Sequence, residues 1–278
     1  MKPPFTYFGG KTAIADRIVA LLPAHEHYVE PFAGSLAVLL AKPPSPMETV
    51  SDLDGELVNF WRMLRERPEE LCRMCALTPH ARGELENAYK PSEDDLERAR
   101  RTWIKLTQAR SGQHFKRTGW RYYQDPRGSH SSMPDYLDAY VGRLAPAAAR
   151  LRSVSLESLP ALDIIRRYGR HRDCLIYADP PYLMTARSCN DRGPSYGVEM
   201  GTEADHRQLA ETLAAAAAAV VLSGYHSPLY DELYDGWHVT ELPAFTGNAS
   251  TGNARRIEVL WSNRPFPHHQ ADLFGGAA

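Results

Sequence analysis

The spacing of apolar residues divides this chain into alternating short strands and helices. Ile14, Ile18, Leu21 and Leu22 recur at helical intervals after Lys11, and Pro23 ends that series. Residues 27–30 then read as a strand, 31–34 as a turn and 36–41 as the start of a helix. A second strand at 49–51 ends at Asp52 and leads into a helix with Leu57, Phe60, Trp61 and Leu64 on one face. From about residue 68 to 146 polar, basic and aromatic residues mix with Gly and Pro without strand alternation, which predicts an inserted, mainly helical segment. Alternation resumes with a strand at 153–156, a helix at 162–168 and the apolar run 174–178, the pattern of a strand buried on both faces. Thr202 and Asp205 form a capping-box signature for a helix expected to run through the alanines at 214–219, and residues 220–223 and 257–261 read as the last strands.

Strand–helix alternation of this kind predicts an α/β fold with a doubly wound, mostly parallel sheet. The expected division is a catalytic domain from 1–66 and 147–265, an insertion at 67–146 and a C-terminal tail at 266–278.

Composition changes this picture little. The chain has 278 residues and a formal charge of −2, so any surface for nucleic acid must come from uneven charge rather than net excess. No apolar run reaches the roughly 18 residues of a membrane span and the N-terminus lacks a signal-like stretch, so a cytoplasmic protein is expected. Cys72, Cys75, Cys174 and Cys189 are too scattered for a disulfide framework, and the lone Cys72/Cys75 pair has no second pair to complete a zinc site. His206 falls on the first turn of a capped helix and His268-His269 lack partners at ligand spacing, so no metal is assigned.

Candidate chemistry concentrates in three places. Asp179-Pro180-Pro181-Tyr182 follows the buried strand at 174–178, where a doubly wound sheet presents its ligand crevice. The two prolines hold an extended turn with free carbonyls. A carboxylate with such a carbonyl grips both hydrogens of an exocyclic amine, and Tyr182 offers a stacking face for the base that carries it. Drawing those hydrogens out of plane localises a lone pair otherwise delocalised into the ring. An ordinary strand-ending turn has the same composition. Near the N-terminus, Tyr7-Phe8-Gly9-Gly10-Lys11 and Glu30-Pro31-Phe32-Ala33-Gly34 combine glycines for close ligand approach with a lysine suited to a carboxylate. Asp52, followed by Leu53, sits where nucleoside-binding sheets place a ribose-binding acid.

In order and spacing these segments resemble the Dam-type DNA adenine methyltransferases and their phage-encoded relatives, from Tyr7 to Asn263. The resemblance implies a Rossmann-like methyltransferase fold, S-adenosylmethionine as cofactor and transfer of a methyl group to the N6 amine of an adenine flipped out of double-stranded DNA. It implies catalysis by Asp179, Pro180, Pro181 and Tyr182. It places the cofactor on Tyr7, Gly9, Gly10, Lys11, Glu30, Pro31, Phe32, Gly34, Asp52, Leu53 and Asp179, with Ser158 and Leu159 beside its adenine. Ser223-Gly224-Tyr225 and residues 256–261 resemble later sheet motifs. The chain departs from the family at Leu36, where relatives usually carry another glycine. Relatives also often carry an acidic or aromatic residue near Leu159 or Pro160.

The insertion interleaves Arg98, Arg100, Arg101, Lys105, Arg110, Lys116, Arg117, Arg121 and Arg127 with Trp103, Phe115, Trp120, Tyr122 and Tyr123. Such a mixture suits phosphates and bases together, and a solvated helix face over core aromatics has the same content. By resemblance this is the target-recognition domain, with DNA contacts expected from Arg110, Lys116, Arg117, Arg121 and Tyr122, and from Arg187 in the loop after Tyr182. Cytosine N4 methylation uses the same amine logic but tends to carry Ser at the position of Asp179; a catalytically silent DNA-binding relative has no need of Asp179, Tyr182 and Lys11 together. The tail segment Gln270-Ala271-Asp272-Leu273-Phe274 resembles the pentapeptide that docks on bacterial sliding clamps, and packing of Leu273 and Phe274 on the chain's own domain is the alternative. The chain is otherwise expected to act as a monomer.

Overall fold

The computed structural model describes residues 1–123, 132–182, 200–245 and 255–267. The strands are β1 (His27–Glu30), β2 (Met47–Ser51), β3 (Val154–Glu157), β4 (Cys174–Ala178), β5 (Ala219–Gly224), β6 (His238–Phe245) and β7 (Arg255–Ser262). They form one sheet in the order β3-β2-β1-β4-β5-β7-β6. Only β7 runs against the rest, antiparallel to both β5 and β6. The winding direction reverses between β1 and β4, which opens a crevice at the carboxyl ends of these two strands. This is the doubly wound, mostly parallel sheet that the strand–helix alternation predicts.

The described helices are α1 (Ala15–Val19), α2 (Ala37–Ala41), α3 (Gly55–Glu66), α4 (Pro68–Ala76), α5 (Arg82–Ala88) and α6 (Asp95–Gln108), followed by α7 (Met133–Val141), α8 (Leu144–Leu151), α9 (Ala161–Tyr168), α10 (Glu203–Ala214) and α11 (Pro228–Leu233). The central strands serve both faces of the sheet because successive side chains point to opposite sides. On β4, Leu175 and Tyr177 join a core with Leu57, Phe60 and Trp103, whereas Ile176 and Ala178 join a second core with Ile164, Leu209 and Leu213. Helices α4–α8, which connect β2 to β3, share the first of these cores. Trp103 of α6 is fully buried and donates its indole N–H to the Pro4 carbonyl at 2.9 Å, beside the edge-to-face pair Phe5–Phe60. Cys75 and Cys174 lie in the cores as free thiols.

Three elements differ from the expectation. Helix α1 covers only Ala15–Val19, since the chain before it turns at Lys11 (Ile14 N–H to Lys11 carbonyl, 2.9 Å) and tightens again after Ile18. The alanine run does not continue α10. The helix ends at Ala214, the Ala218 N–H bonds to the Gly169 carbonyl at 3.0 Å, and Ala219 already pairs with Leu175 of β4. Register in the sheet here overrides helix propensity, and both Ala218 and Ala219 are buried. Strand β6 escaped notice because its apolar residues do not alternate and it contains Pro243; it is an edge strand, where proline is tolerated.

Leu36, the position at which relatives usually carry glycine, has φ 55° and ψ 29° and is fully buried. The left-handed backbone costs a leucine roughly 1–2 kcal/mol, which its burial offsets. Replacing it with Gly or Ala is expected to destabilise the protein by about 2–5 kcal/mol through the cavity left behind. Leu36→Gly should nonetheless be the more stable of the two by about 1 kcal/mol, since only glycine escapes the strain. Urea midpoints of the two variants check this, and the reverse order would show that the left-handed conformation relaxes.

Candidate active site

The turn after β4 carries Asp179, Pro180, Pro181 and Tyr182 to the carboxyl end of the sheet, with both prolines buried. The N-terminal loop crosses above it and inserts Lys11, whose side chain is 5 % exposed. The Lys11 ammonium donates to Asp179 Oδ1 at 2.7 Å, to the Gly9 carbonyl at 3.1 Å and to the Tyr182 hydroxyl. Its nitrogen lies 5.0 Å from the centre of the Tyr182 ring. Glu258 of β7 approaches from the other side, with Oε1 3.4 Å from the same ammonium. Tyr182 also donates to Glu258 Oε1 at 3.3 Å, and its ring meets that of Tyr225 at 4.5 Å between centroids.

Burial pushes the Asp179 carboxyl above the ordinary range, and the Lys11 charge restrains that rise. Burial disfavours the Lys11 cation, but Asp179 and Glu258 outweigh it and hold its pKa well above the usual lysine value. At neutral pH the group at the end of β4 is therefore a carboxylate already grasping an amino nitrogen.

Beside this cluster a cleft of about 240 Å³ opens between the ends of β1, β2 and β4. Tyr7, Gly9, Gly10, Lys11, Glu30, Pro31, Phe32, Gly34, Asp52, Leu53, Asp179 and Pro181 all line it. Ser158 and Leu159 do not, and the next residues, Pro160, Ala161 and Leu162, form that wall instead. The reason is local. Ser51 Oγ both donates to the Leu159 carbonyl and accepts from its N–H, which ties Leu159 to the end of β2.

Asp52 is held by two backbone amides, Gly34 N–H at 2.8 Å and Asp54 N–H at 2.9 Å, and burial lifts its pKa to about 6. Gly34 has φ 47°, and a Cβ there would lie 3.1 Å from the Tyr7 ring, so this turn requires glycine. Glu30 is 3 % exposed, accepts from the Tyr28 hydroxyl at 2.9 Å and is raised to about 8 by burial, with a further push from Asp179. A buried carboxyl and a half-buried one along an apolar cleft suit a ligand that brings hydroxyl donors and a cationic amine.

The insertion meets this cleft through an arm closed by the bridge between Ala109 and Trp120, with Arg110 N–H bonded to Gly119 and Arg121 N–H to Gln108. At its tip the Gly112 carbonyl accepts from Phe8 N–H at 2.8 Å, and a Cβ on Gly112 would lie 2.9 Å from the Phe8 nitrogen. His114 Nε2 lies 2.8 Å from Asp54 Oδ2, the residue that caps α3. Arg110, Lys116 and Arg117 are exposed on the arm, as is Tyr122, whose ring stacks on Trp120 at 5.6 Å. Arg121 turns inward onto the Tyr136 hydroxyl. The three arginines of α6 are engaged within the fold: Arg98 pairs with Glu56 and Asp95, Arg100 with Glu84 and Glu97, and Arg101 with Glu97. Arg187 and the tail residues Gln270, Leu273 and Phe274 lie outside the described residues.

Residues 7–108 match the family model of the D12 class N6 adenine-specific DNA methyltransferases. Over that segment the chain is similar to this class. The D12 match covers the N-terminal loop, the segment around Glu30 and Asp52, and ends before the arm. A relative that runs through most of the chain is the Type II methyltransferase M1.LlaDCHI of Lactococcus lactis subsp. cremoris, 25% identical and covering 94% of this chain and 95% of that protein. The Retron Ec67 DNA adenine methylase of Escherichia coli is 41% identical over 56 residues, 20% of this chain and 19% of the other. A D12-class enzyme uses a methyl donor of the S-adenosylmethionine type. Among the described residues no helix is long and apolar enough to cross a membrane.

Glu258 is the residue of this cluster to which sequence reasoning gave no role. Its signal was present as a lone acid within the apolar run Ile257-Glu258-Val259-Leu260-Trp261.

Proposed function

We propose that this chain is a D12-class enzyme that transfers a methyl group from S-adenosylmethionine to the N6 amine of an adenine flipped out of double-stranded DNA, at the Asp179–Tyr182 turn. The observation that carries the reading is the half-buried Asp179 carboxylate, with an amino nitrogen 2.7 Å from Oδ1 and the Tyr182 ring alongside, next to a cleft lined by Glu30 and Asp52. The donor set fits the cofactor. Asp52, oriented by two amides, would accept from ribose hydroxyls, Glu30 would face the cationic amino group, and Phe32, Pro160 and Leu162 would wall the adenine. When bound, S-adenosylmethionine supplies a methyl group made electrophilic by its sulfonium. Asp179 would accept a hydrogen bond from the amine and direct the nitrogen lone pair at that methyl; as the N–C bond formed the S–C bond would break to leave a neutral thioether, and the proton lost by the nitrogen would pass by way of Asp179 to solvent. Tyr182 would stack on the base and offset part of its unstacking cost of a few kcal/mol.

In this reading residues 67–146 carry target recognition, and the arm supplies the DNA contacts through Arg110, Lys116, Arg117 and Tyr122. Replacing Lys116 and Arg117 together by Ala is expected to weaken DNA binding and to lower the slope of log affinity against log salt by about two units if both meet phosphates. An unchanged slope in a salt titration would move the DNA surface elsewhere. Docking of Gln270, Leu273 and Phe274 on a sliding clamp is proposed from the pentapeptide alone.

The test of the activity is tritium transfer from labelled S-adenosylmethionine to unmethylated DNA, followed by digestion to nucleosides. Label in N6-methyldeoxyadenosine is the expected result. Label in N4-methyldeoxycytidine would reassign the target base, and DNA binding without transfer would make the protein a silent relative.

A further inference from the structure

Glu258 stands in the middle of β7 and is 3 % exposed. A carboxylate in such a place costs several kcal/mol unless it is paired and hydrogen-bonded. Its partners come from three separate segments: Ser223 Oγ of β5 donates at 2.6 Å, the Tyr182 hydroxyl at 3.3 Å, and the Lys11 ammonium lies at 3.4 Å. Strand β7 is already fixed by its backbone ladders to β5 and β6, so the sheet has no need of this acid.

The position of Lys11 supplies a need. Its nitrogen sits between two carboxylates, 2.7 Å from Asp179 and 3.4 Å from Glu258. An exocyclic amine brought to Asp179 competes for the oxygen that Lys11 now occupies. The displaced ammonium is buried and cannot give up one counter-ion without gaining another. A shift of its tip toward Glu258 closes a contact that is already present but long.

We infer that Glu258 is a positioning residue for methyl transfer, the counter-ion that receives the Lys11 ammonium when the substrate amine takes its place on Asp179. The inference rests on the methyl-transfer reading of the site. Lys11 then serves as a placeholder that keeps Asp179 ionised in the base-free enzyme, and Glu258 lets it yield without leaving an unpaired charge in the pocket.

Charge and shape separate this role from a merely structural one. Glu258→Gln keeps the size of the side chain and an acceptor for Ser223 and Tyr182 but lacks the charge; Glu258→Asp keeps the charge on a side chain one methylene shorter. Turnover with unmethylated plasmid DNA, cofactor affinity and melting midpoint are measured for both. The expected result is a kcat at least 30-fold below wild type for Gln and within tenfold for Asp, with cofactor dissociation constants within threefold of wild type for both. A Gln variant as active as the Asp variant, or more so, would overturn the proposal, as would a loss of cofactor affinity that accounts for the drop. Wild-type protein that transfers no methyl group would sink the function reading itself, a different outcome from an active wild type with an active Gln variant.

Discussion

Asp179→Ala is expected to abolish methyl transfer, with a loss of at least about a thousandfold in the single-turnover rate, while the dissociation constant for S-adenosylmethionine stays within about tenfold. The asymmetry follows from the geometry. The Asp179 carboxylate is engaged with the Lys11 ammonium at the mouth of the Asp179–Tyr182 turn, whereas Asp52 and Glu30 lie at the ends of other strands and keep their partners when Asp179 is removed. Glu258 remains to neutralise Lys11, so the variant should fold. Single-turnover tritium transfer and calorimetric cofactor binding check the two halves separately; near-normal transfer would refute the catalytic assignment. In the wild type the same carboxylate must be ionised to accept an amine hydrogen. Burial raises its pKa to about 6, so the acid limb of the rate profile should fall off near pH 6 rather than near 4.

The parts of the fold that were legible are those where one local rule decides. The run Cys174–Ala178 is apolar throughout because the strand is buried on both faces, and Thr202 with Asp205 forms the reciprocal cap that its spacing indicates. The parts that were not legible depend on partners distant in sequence. Arg98, Arg100 and Arg101 read as a basic surface until the fold brings Glu56 and Glu84 to them, which leaves Arg110, Lys116 and Arg117 of the arm as the exposed ones among the described candidate cations. The wall of the cleft moves one to three residues beyond Leu159 because Ser51 pins that backbone, a contact across 108 positions. Glu258 gains meaning only when β5, β7 and the N-terminal loop converge on it. In the sequence Leu36 is a departure from a usual glycine, but only its φ of 55° shows what the glycine would have relieved.

Glu30→Gln is expected to have opposite effects on stability and on cofactor binding. Glu30 is buried at the end of β1, and that burial, aided by Asp179, raises its pKa from 4.5 to about 8 against the opposing bond from Tyr28. A carboxyl whose folded-state pKa lies above its unfolded value binds its proton more tightly in the folded protein. Its contribution to stability is therefore complete below about 4.5 and is lost as pH rises through about 8. Gln has no proton to lose. The cofactor-free variant should match wild type near pH 5 and exceed it at pH 8 or above, by about 5 °C in melting midpoint. A cationic amino group beside Glu30 reverses the balance, because it favours the carboxylate. Cofactor affinity in the wild type should then rise with pH by up to about tenfold per unit between roughly 5.5 and 7, where the ligand amine stays protonated and each binding event releases one proton from Glu30. In Glu30→Gln that dependence should vanish and affinity should fall by at least about tenfold. Melting curves and calorimetric titrations across this range test both halves. A variant that binds cofactor normally would separate Glu30 from the ligand, and one that is no more stable at pH 8 would mean that Glu30 is already ionised and paired in the free enzyme.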